Sequence, residues 1–185
     1  MRNDPRRAVA AADKALKTSN SAEVRFLAGR ILIDGGEVAR AKPLAAALAK
    51  ELSAEPLAYG RILEGEIALK SGDARQAVVI LTEANKGLDT WLGHFDLGRA
   101  YLTLGQHLEA DSEFDTCIRR KGEALSLLVD ESPTFGYFPI VYYYQGQVRE
   151  AMKTTGFADR YREYLKIRGD STEDRLVSDA SRRAR

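Results

Sequence analysis

The sequence is poor in the residues that carry most enzyme chemistry. It has one cysteine and two histidines among 185 residues. The lone cysteine, Cys117, excludes an internal disulfide framework, and neither His94 nor His107 has a partner at metal-ligand spacing. The 15 glycines are spread along the chain, so no phosphate-binding loop is predicted. We therefore expect no catalytic residues, no metal site and no cofactor, and we interpret the chain as a non-enzymatic protein.

Charge and hydropathy exclude further classes. There are 28 Lys and Arg residues against 27 Asp and Glu, which gives a formal net charge of +1 and predicts no nucleic-acid or membrane-surface partner. No apolar run approaches the roughly 20 residues of a membrane-spanning helix. The first residues, MRNDPRRAVAAADK, lack the apolar core of a signal peptide. These features favour a cytoplasmic location.

The residues that are abundant favour helices. Ala, Leu, Arg and Glu recur throughout, and no apolar run has the period of two that strands require. The stretch Trp91–Arg120 carries small and aromatic residues at fixed points, in the order Gly98, Tyr101, Gly105, Ala110 and Phe114. Small residues let two helices cross closely, and a glycine after the first helix supplies a left-handed turn. This stretch is predicted to be a helix-turn-helix.

The same pattern recurs upstream. Gly29 precedes Ala41, and Gly65 precedes Ala77, by the twelve residues that separate Gly98 from Ala110. The turn glycines keep the same phase, each seven residues after its crossing glycine: Gly36, Gly72 and Gly105. Successive second-helix alanines at 41, 77 and 110 are 36 and 33 residues apart. Such a period indicates a repeat array.

These motifs resemble the tetratricopeptide repeat family, whose units are helix-turn-helix pairs of about 34 residues. The resemblance implies an all-α, right-handed α-α superhelix that binds a partner protein or peptide in its concave groove. The run RRKGEALSLLVDESPTFGYFPIVYYYQGQVREAM also looks like the C-terminal tetratricopeptide segment of larger bacterial regulatory proteins, some with a Ser/Thr kinase domain. That similarity implies a docking module, because no kinase motif is present in these residues.

The pattern predicts a single domain, 1–185, of about four units. It divides the chain into the second helix of a partial unit at 4–18, units at 22–52, 58–89 and 91–121, a helical piece and loop at 122–138, a longer fourth unit at 139–168, and a capping helix at 171–184. Because the partial unit lacks a first helix, we expect the chain to begin inside an array. Pro43 predicts that its helix starts near Arg40 or bends there. Gly146 and Gly156 are ten residues apart, which predicts a first helix one turn longer.

In the family, groove-facing positions fall three residues before the crossing glycine and one residue after it. Carried onto this chain, the peptide-binding positions are Phe26 and Arg30, Ile62 and Glu66, Phe95 and Arg99, and Tyr143 and Gln147. Members that clamp a C-terminal carboxylate have lysine and asparagine where this chain has Phe26 and Arg30. The aromatic and arginine pairing predicts instead an amphipathic segment that carries an acidic residue. The alternative is that neighbouring repeats cover some of these rings.

Three successive tyrosines, Tyr142, Tyr143 and Tyr144, cannot all face one core, because neighbouring helix positions point about 100° apart. Either one of them reaches the groove or solvent, or they pack against the helices of 112–130. His94 is predicted to be a packing residue and Cys117 a small buried one. The alternative function is structural homo-oligomerisation, through the face of Asp4–Leu16 or through the tyrosine-rich unit.

Overall fold

The computed structural model describes residues 4–124, 136–169, 171 and 174–185. All regular elements in these ranges are helices, which confirms the all-α prediction. In chain order they are α1 Pro5–Thr18, α2 Ala22–Asp34, α3 Val38–Leu48, α4 Ala54–Lys70, α5 Ala74–Gly87, α6 Trp91–Thr103, α7 His107–Arg119, α8 Lys121–Ala124, α9 Phe138–Ala151, α10 Phe157–Arg168 and α11 Arg175–Arg183.

The helices pack in the order in which they occur. The helix pairs α2/α3, α4/α5, α6/α7 and α9/α10 are each in contact, and the second helix of a pair also contacts the first helix of the next pair. The first helices touch one another as well, in the sequence α2, α4, α6 and α9. They therefore form one row, which we call the inner row, with the second helices packed against it. The contact of α7 with α9 continues this order across α8 and residues 125–135.

The turns between paired helices follow the predicted glycines. Gly36, Gly72 and Gly105 have φ values of +86°, +88° and +73°, a left-handed conformation that costs glycine no steric penalty. The turn after α2 is closed by hydrogen bonds from Gly36 N to Ile33 O (3.1 Å) and from Glu37 N to Leu32 O (2.8 Å). The turn role of these glycines is confirmed.

The crossing glycines are also in tight contact. A Cβ added to Gly65 would lie 2.5 Å from Leu81, and one on Gly98 would lie 2.7 Å from Phe114. Gly146 approaches Tyr161 in the same way, at 2.9 Å. These three contacts each join a first helix to its own second helix, as the spacing predicted. Gly29 differs, because a Cβ added there would lie 2.7 Å from Leu63 of α4, the first helix of the next pair.

The fourth pair differs from the prediction. Its first helix is not one turn longer, because α9 ends at Ala151, five residues after Gly146, just as α6 ends five residues after Gly98. The extra residues lie in the turn, 152–156. Lys153 takes the left-handed conformation (φ +54°) seven residues after Gly146, and Gly156 (φ +81°) immediately precedes α10. The expectation was wrong because Gly156 marks the start of the second helix, whereas the turn position is occupied by a lysine.

Helices α3 and α11 also begin at residues other than those predicted. Helix α3 does not start late: it begins at Val38 and runs through the exposed Pro43. The capping helix is α11, and its first turn is capped by Asp174, whose Oδ1 accepts from Leu176 N at 3.0 Å. Residues 172 and 173 of the predicted capping segment, and most of the predicted helical piece and loop at 122–138, lie outside the described residues.

A glycine outside the repeat pattern allows the closest backbone approach. Gly60 of α4 faces the end of α3, where an added Cβ would lie 2.3 Å from Ala49 N and 2.7 Å from Ala49 Cα. Backbone atoms cannot rotate aside as a side chain can. Gly60→Ala should therefore lower the free energy of unfolding by about 2 kcal/mol, the typical cost of overpacking.

Denaturant unfolding measures this effect. The control is Gly87→Ala at the end of α5, where nothing lies within 4 Å of the added Cβ. That change should leave stability unchanged or raise it by up to about 1 kcal/mol through helix propensity. Equal stabilities of the two variants would contradict the close approach of α3 and α4.

Candidate functional site

Four charged side chains meet between the helices of the inner row. Arg30 comes from α2, Glu66 from α4, and Asp96 and Arg99 from α6. We call these four residues the ion cluster. Arg30, Glu66 and Asp96 are almost fully buried, with 1%, 3% and 0% of their surfaces exposed. Charged groups are rarely so buried unless they are paired, and here each one is.

All three guanidinium nitrogens of Arg30 donate hydrogen bonds. Its Nη1 donates to Asp96 Oδ2 at 2.6 Å and its Nη2 to Asp96 Oδ1 at 3.3 Å, a two-point contact between α2 and α6. Its Nε donates to the hydroxyl of Tyr137 at 3.1 Å, and the guanidinium carbon lies 4.5 Å from the centre of the Tyr137 ring. Burial alone would raise the pKa of Asp96, but Arg30 and Arg99 outweigh burial and hold it below its usual range.

Glu66 is paired through one oxygen. Its Oε1 accepts from Arg99 Nη1 at 2.5 Å and lies 3.5 Å from Arg30 Nη2. Its Oε2 is buried and has no hydrogen-bond partner in the described part of the chain. Burial raises the pKa of Glu66 to about 7, although Arg30 and Arg99 act in the opposite direction. Burial causes both effects. It keeps water from Oε2, and it removes the hydration that favours the charged form of a carboxylate.

Arg99 is the member of the cluster that reaches the surface. Its Nη1 donates both to Glu66 and to Asp96 Oδ1, the latter at 2.9 Å. Its Nε and Nη2 have no hydrogen bond to any described residue, and 25% of the side chain is exposed. One edge of the guanidinium is therefore available to a ligand.

A cavity of about 400 Å³ opens above the ion cluster. All four helices of the inner row line it, with Ile33 and Asp34 from α2, Glu66, Leu69 and Lys70 from α4, Arg99, Leu102 and Thr103 from α6, and Tyr144 and Gln147 from α9. Lys70 and Asp34 are exposed at its rim and form no ion pair with a described residue. The cavity thus offers free charges and an apolar wall on one face of the inner row.

The structure separates the eight sequence-predicted groove positions into two groups. The four apolar positions, Phe26, Ile62, Phe95 and Tyr143, are between 0% and 5% exposed and pack inside the molecule. Of the other four, Glu66, Arg99 and Gln147 line the cavity, while Arg30 lies beneath it. Neighbouring aromatic rings cover two members of the first group: Phe26 stacks on Tyr59 with ring centres 4.4 Å apart, and Phe95 stacks on Trp91 at 5.5 Å.

Sequence reasoning missed Asp96, which is the centre of the ion cluster. It lies two residues before its crossing glycine, where the preceding units have Leu27 and Leu63. A carboxylate in a column of leucines is a signal of a buried partner, because an unpaired charge is costly there. Arg30, Glu66 and Arg99 each follow their crossing glycine by one residue, and their charges alternate in sign from one helix pair to the next. This alternation also indicates pairing between neighbouring helix pairs.

The three tyrosines have three separate environments. Tyr144 stacks on Phe114 of α7 with ring centres 5.9 Å apart. Tyr143 donates its hydroxyl to Asp179 Oδ2 of α11 at 2.6 Å, and Tyr142 lies edge-on to Phe138 at 5.5 Å. Both sequence alternatives apply to Tyr144, which packs against the helices of 112–130 through Phe114 and also lines the cavity, whereas Tyr143 is covered by the C-terminal helix.

His94 of α6 contacts two carboxylates outside the cavity. Its Nδ1 is 2.5 Å from Glu113 Oε2 of α7, and its Nε2 is 2.8 Å from Asp89 Oδ1 before α6. The hydrogen bond to Glu113 raises the pKa of His94, and Asp89 adds to the effect. Cys117 is fully buried, and burial raises the pKa of its thiol. Cys117 is thus the small buried residue that the sequence indicated, whereas His94 is held by two carboxylates and not by apolar packing.

The comparisons with known proteins add no relative. No family model matches the chain, and no curated protein or solved structure matches it either. Within the described ranges, no three His, Cys, Asp or Glu side chains are grouped so that they could hold a metal ion. None of the helices described above is both long and apolar enough to cross a lipid bilayer.

The His94 contacts make stability depend on pH. A histidine whose folded pKa is raised stabilises the fold fully below its unfolded pKa, about 6.5, and loses that contribution as pH rises through the folded value. The melting temperature of His94→Gln should therefore lie further below that of the wild type at pH 5.5 than at pH 8.5. Calorimetric melting at the two pH values measures the difference.

His107→Gln is the control, because His107 has no ion pair among the described residues. An equal pH effect in both variants would contradict the stabilising role of the His94 contacts.

Proposed function

We propose that this protein is a binding scaffold that holds a segment of a partner protein across the inner row, at the cavity above the ion cluster. The single observation that carries the proposal is that one cavity is lined by all four first helices. A groove formed by successive repeats is the surface on which repeat proteins bind extended or helical segments. The protein is then a binding module and no enzyme.

Support for a tetratricopeptide superhelix comes from two features. The helix pairs follow one another in a single order of contacts, and the first helices form a continuous row. Three of the four turns have the glycine of the family pattern, and three of the four crossing glycines approach the second helix of their own pair. We infer a right-handed superhelix of this family whose concave side is the inner row.

The free groups of the cavity indicate what the segment carries. The Nε and Nη2 edge of Arg99 matches the two oxygens of a carboxylate, and the exposed ammonium of Lys70 borders the same cavity. The apolar wall, formed by Leu69, Leu102 and Ile33, suits a neighbouring hydrophobic side chain. An amphipathic segment with an acidic residue fits both features.

Selection from a random peptide library, followed by titration, tests the function. We expect the selected peptides to bind the wild type and to lose at least about tenfold in affinity, or about 1.4 kcal/mol, to Thr103→Trp. Thr103 is the last residue of α6 and lines the cavity, so a large side chain there would fill the site. Its hydroxyl donates only to Arg99 O, at 2.9 Å.

Thr18→Trp is the matched control. Thr18 is the last residue of α1, is exposed like Thr103, and donates to the carbonyl four residues earlier at the same 2.9 Å. Peptide affinity should be unchanged in this variant. Failure to enrich any peptide, or equal affinities for the two tryptophan variants, would refute binding at the cavity.

A further inference from the structure

Glu66 is the member of the ion cluster that has a buried polar atom with no hydrogen-bond partner among the described residues. One oxygen accepts from Arg99 and faces Arg30, while the other oxygen is buried without a donor in the described part of the chain. Buried carboxylate oxygens are normally hydrogen-bonded. An oxygen that lacks a donor is the place where a proton can be held. Its raised pKa, about 7, is consistent with that geometry.

The charged groups around Glu66 and its cavity come from three of the four helices that line it. They are Arg30 and Asp34 of α2, Lys70 of its own helix α4, and Asp96 and Arg99 of α6, while α9 contributes the uncharged Tyr144 and Gln147. With Glu66 ionised, the three cations and three anions cancel. With Glu66 protonated, the cavity carries one net positive charge.

We propose that Glu66 is a proton-operated switch of the binding site, so that a proton on Oε2 makes the cavity net positive and the bound acidic side chain is taken up together with that proton. The inference rests on the proposed function. Without the proton, the incoming carboxylate meets a second carboxylate that shares Arg99 with it. With the proton, Arg99 and Lys70 are opposed by one fewer anion.

The direction of the pH effect follows from linkage. A bound carboxylate disfavours the ionised form of Glu66, so binding raises the affinity of Glu66 for its proton, and the proton comes from solvent. Affinity for an acidic segment therefore rises as pH falls through about 7. One pH unit above that value only about a tenth of the sites are protonated, which limits the loss of affinity to about tenfold.

The test uses two probes, acetyl-Leu-Glu-Leu-amide and the same peptide with glutamine in place of glutamate. Both are titrated into the full chain by NMR at pH 6 and pH 8. The glutamate probe should bind about tenfold more tightly at pH 6, and the glutamine probe should show no pH dependence. In Glu66→Gln the dependence should disappear, whereas the control Glu64→Gln, on the same helix and paired with Arg61, should keep it.

His94→Gln should also keep the pH dependence, because His94 contacts Glu113 and Asp89 and does not line the cavity. A second measurement needs no variant: the side-chain carboxyl carbon of Glu66, observed by carbon-detected NMR in the free protein, should titrate near pH 7. A titration complete below pH 5.5 would overturn the inference.

The two proposals fail in different ways. If the glutamate probe binds equally at pH 6 and pH 8, or if Glu66→Gln retains the pH dependence, the switch is refuted and the binding function stands. If neither probe binds at either pH and the library yields no peptide, the binding function is refuted and the switch with it.

Discussion

The buried contact between Arg30 and Asp96 links helices whose residues are 66 positions apart in sequence. The other features of the inner row depend on it. Asp96 also accepts from Arg99, which in turn binds Glu66, so α2, α4 and α6 are fastened by one continuous set of charges. Buried charges are costly to desolvate, and removing one partner leaves the other uncompensated at about 3 to 5 kcal/mol. The cluster therefore fixes which repeats lie side by side.

The same interaction relates packing to function. Since Asp96 and Glu66 occupy only Nη1 of Arg99, the remaining edge of the guanidinium is held in place without being used. A preorganised donor binds a ligand at a smaller entropic cost than a mobile one. Two aromatic rings that the sequence assigned to the groove instead support the ion cluster. Phe26 lies against the guanidinium of Arg30, and Phe95 lies against that of Arg99.

The helices and their turns were predictable from local sequence, whereas the cluster was not. Gly36, Gly72 and Gly105 indicate turns because only a few residues accept a positive φ, and that requirement is local. Burial of Phe26 or Asp96 depends on which helices become neighbours, which a repeat spacing does not state. Even a turn can escape local prediction: Lys153 adopts the left-handed turn conformation although lysine is not a residue type that indicates it. Local chemistry thus predicted the elements, and only tertiary contacts revealed the ion cluster.

A double-mutant cycle on Arg30 and Asp96 tests the central role of their contact most directly. The cycle compares the free energies of unfolding of Arg30→Met, Asp96→Leu and the double variant with that of the wild type. Each single variant leaves the buried ion cluster with one uncompensated charge, while the double variant keeps Glu66 and Arg99 as a balanced pair. Arg30 and Asp96 should therefore show a coupling energy of about 2 to 3 kcal/mol. The double variant should accordingly be destabilised by about 2 to 3 kcal/mol less than the sum of the two single effects. Strictly additive effects would contradict the view that this ion pair organises the inner row.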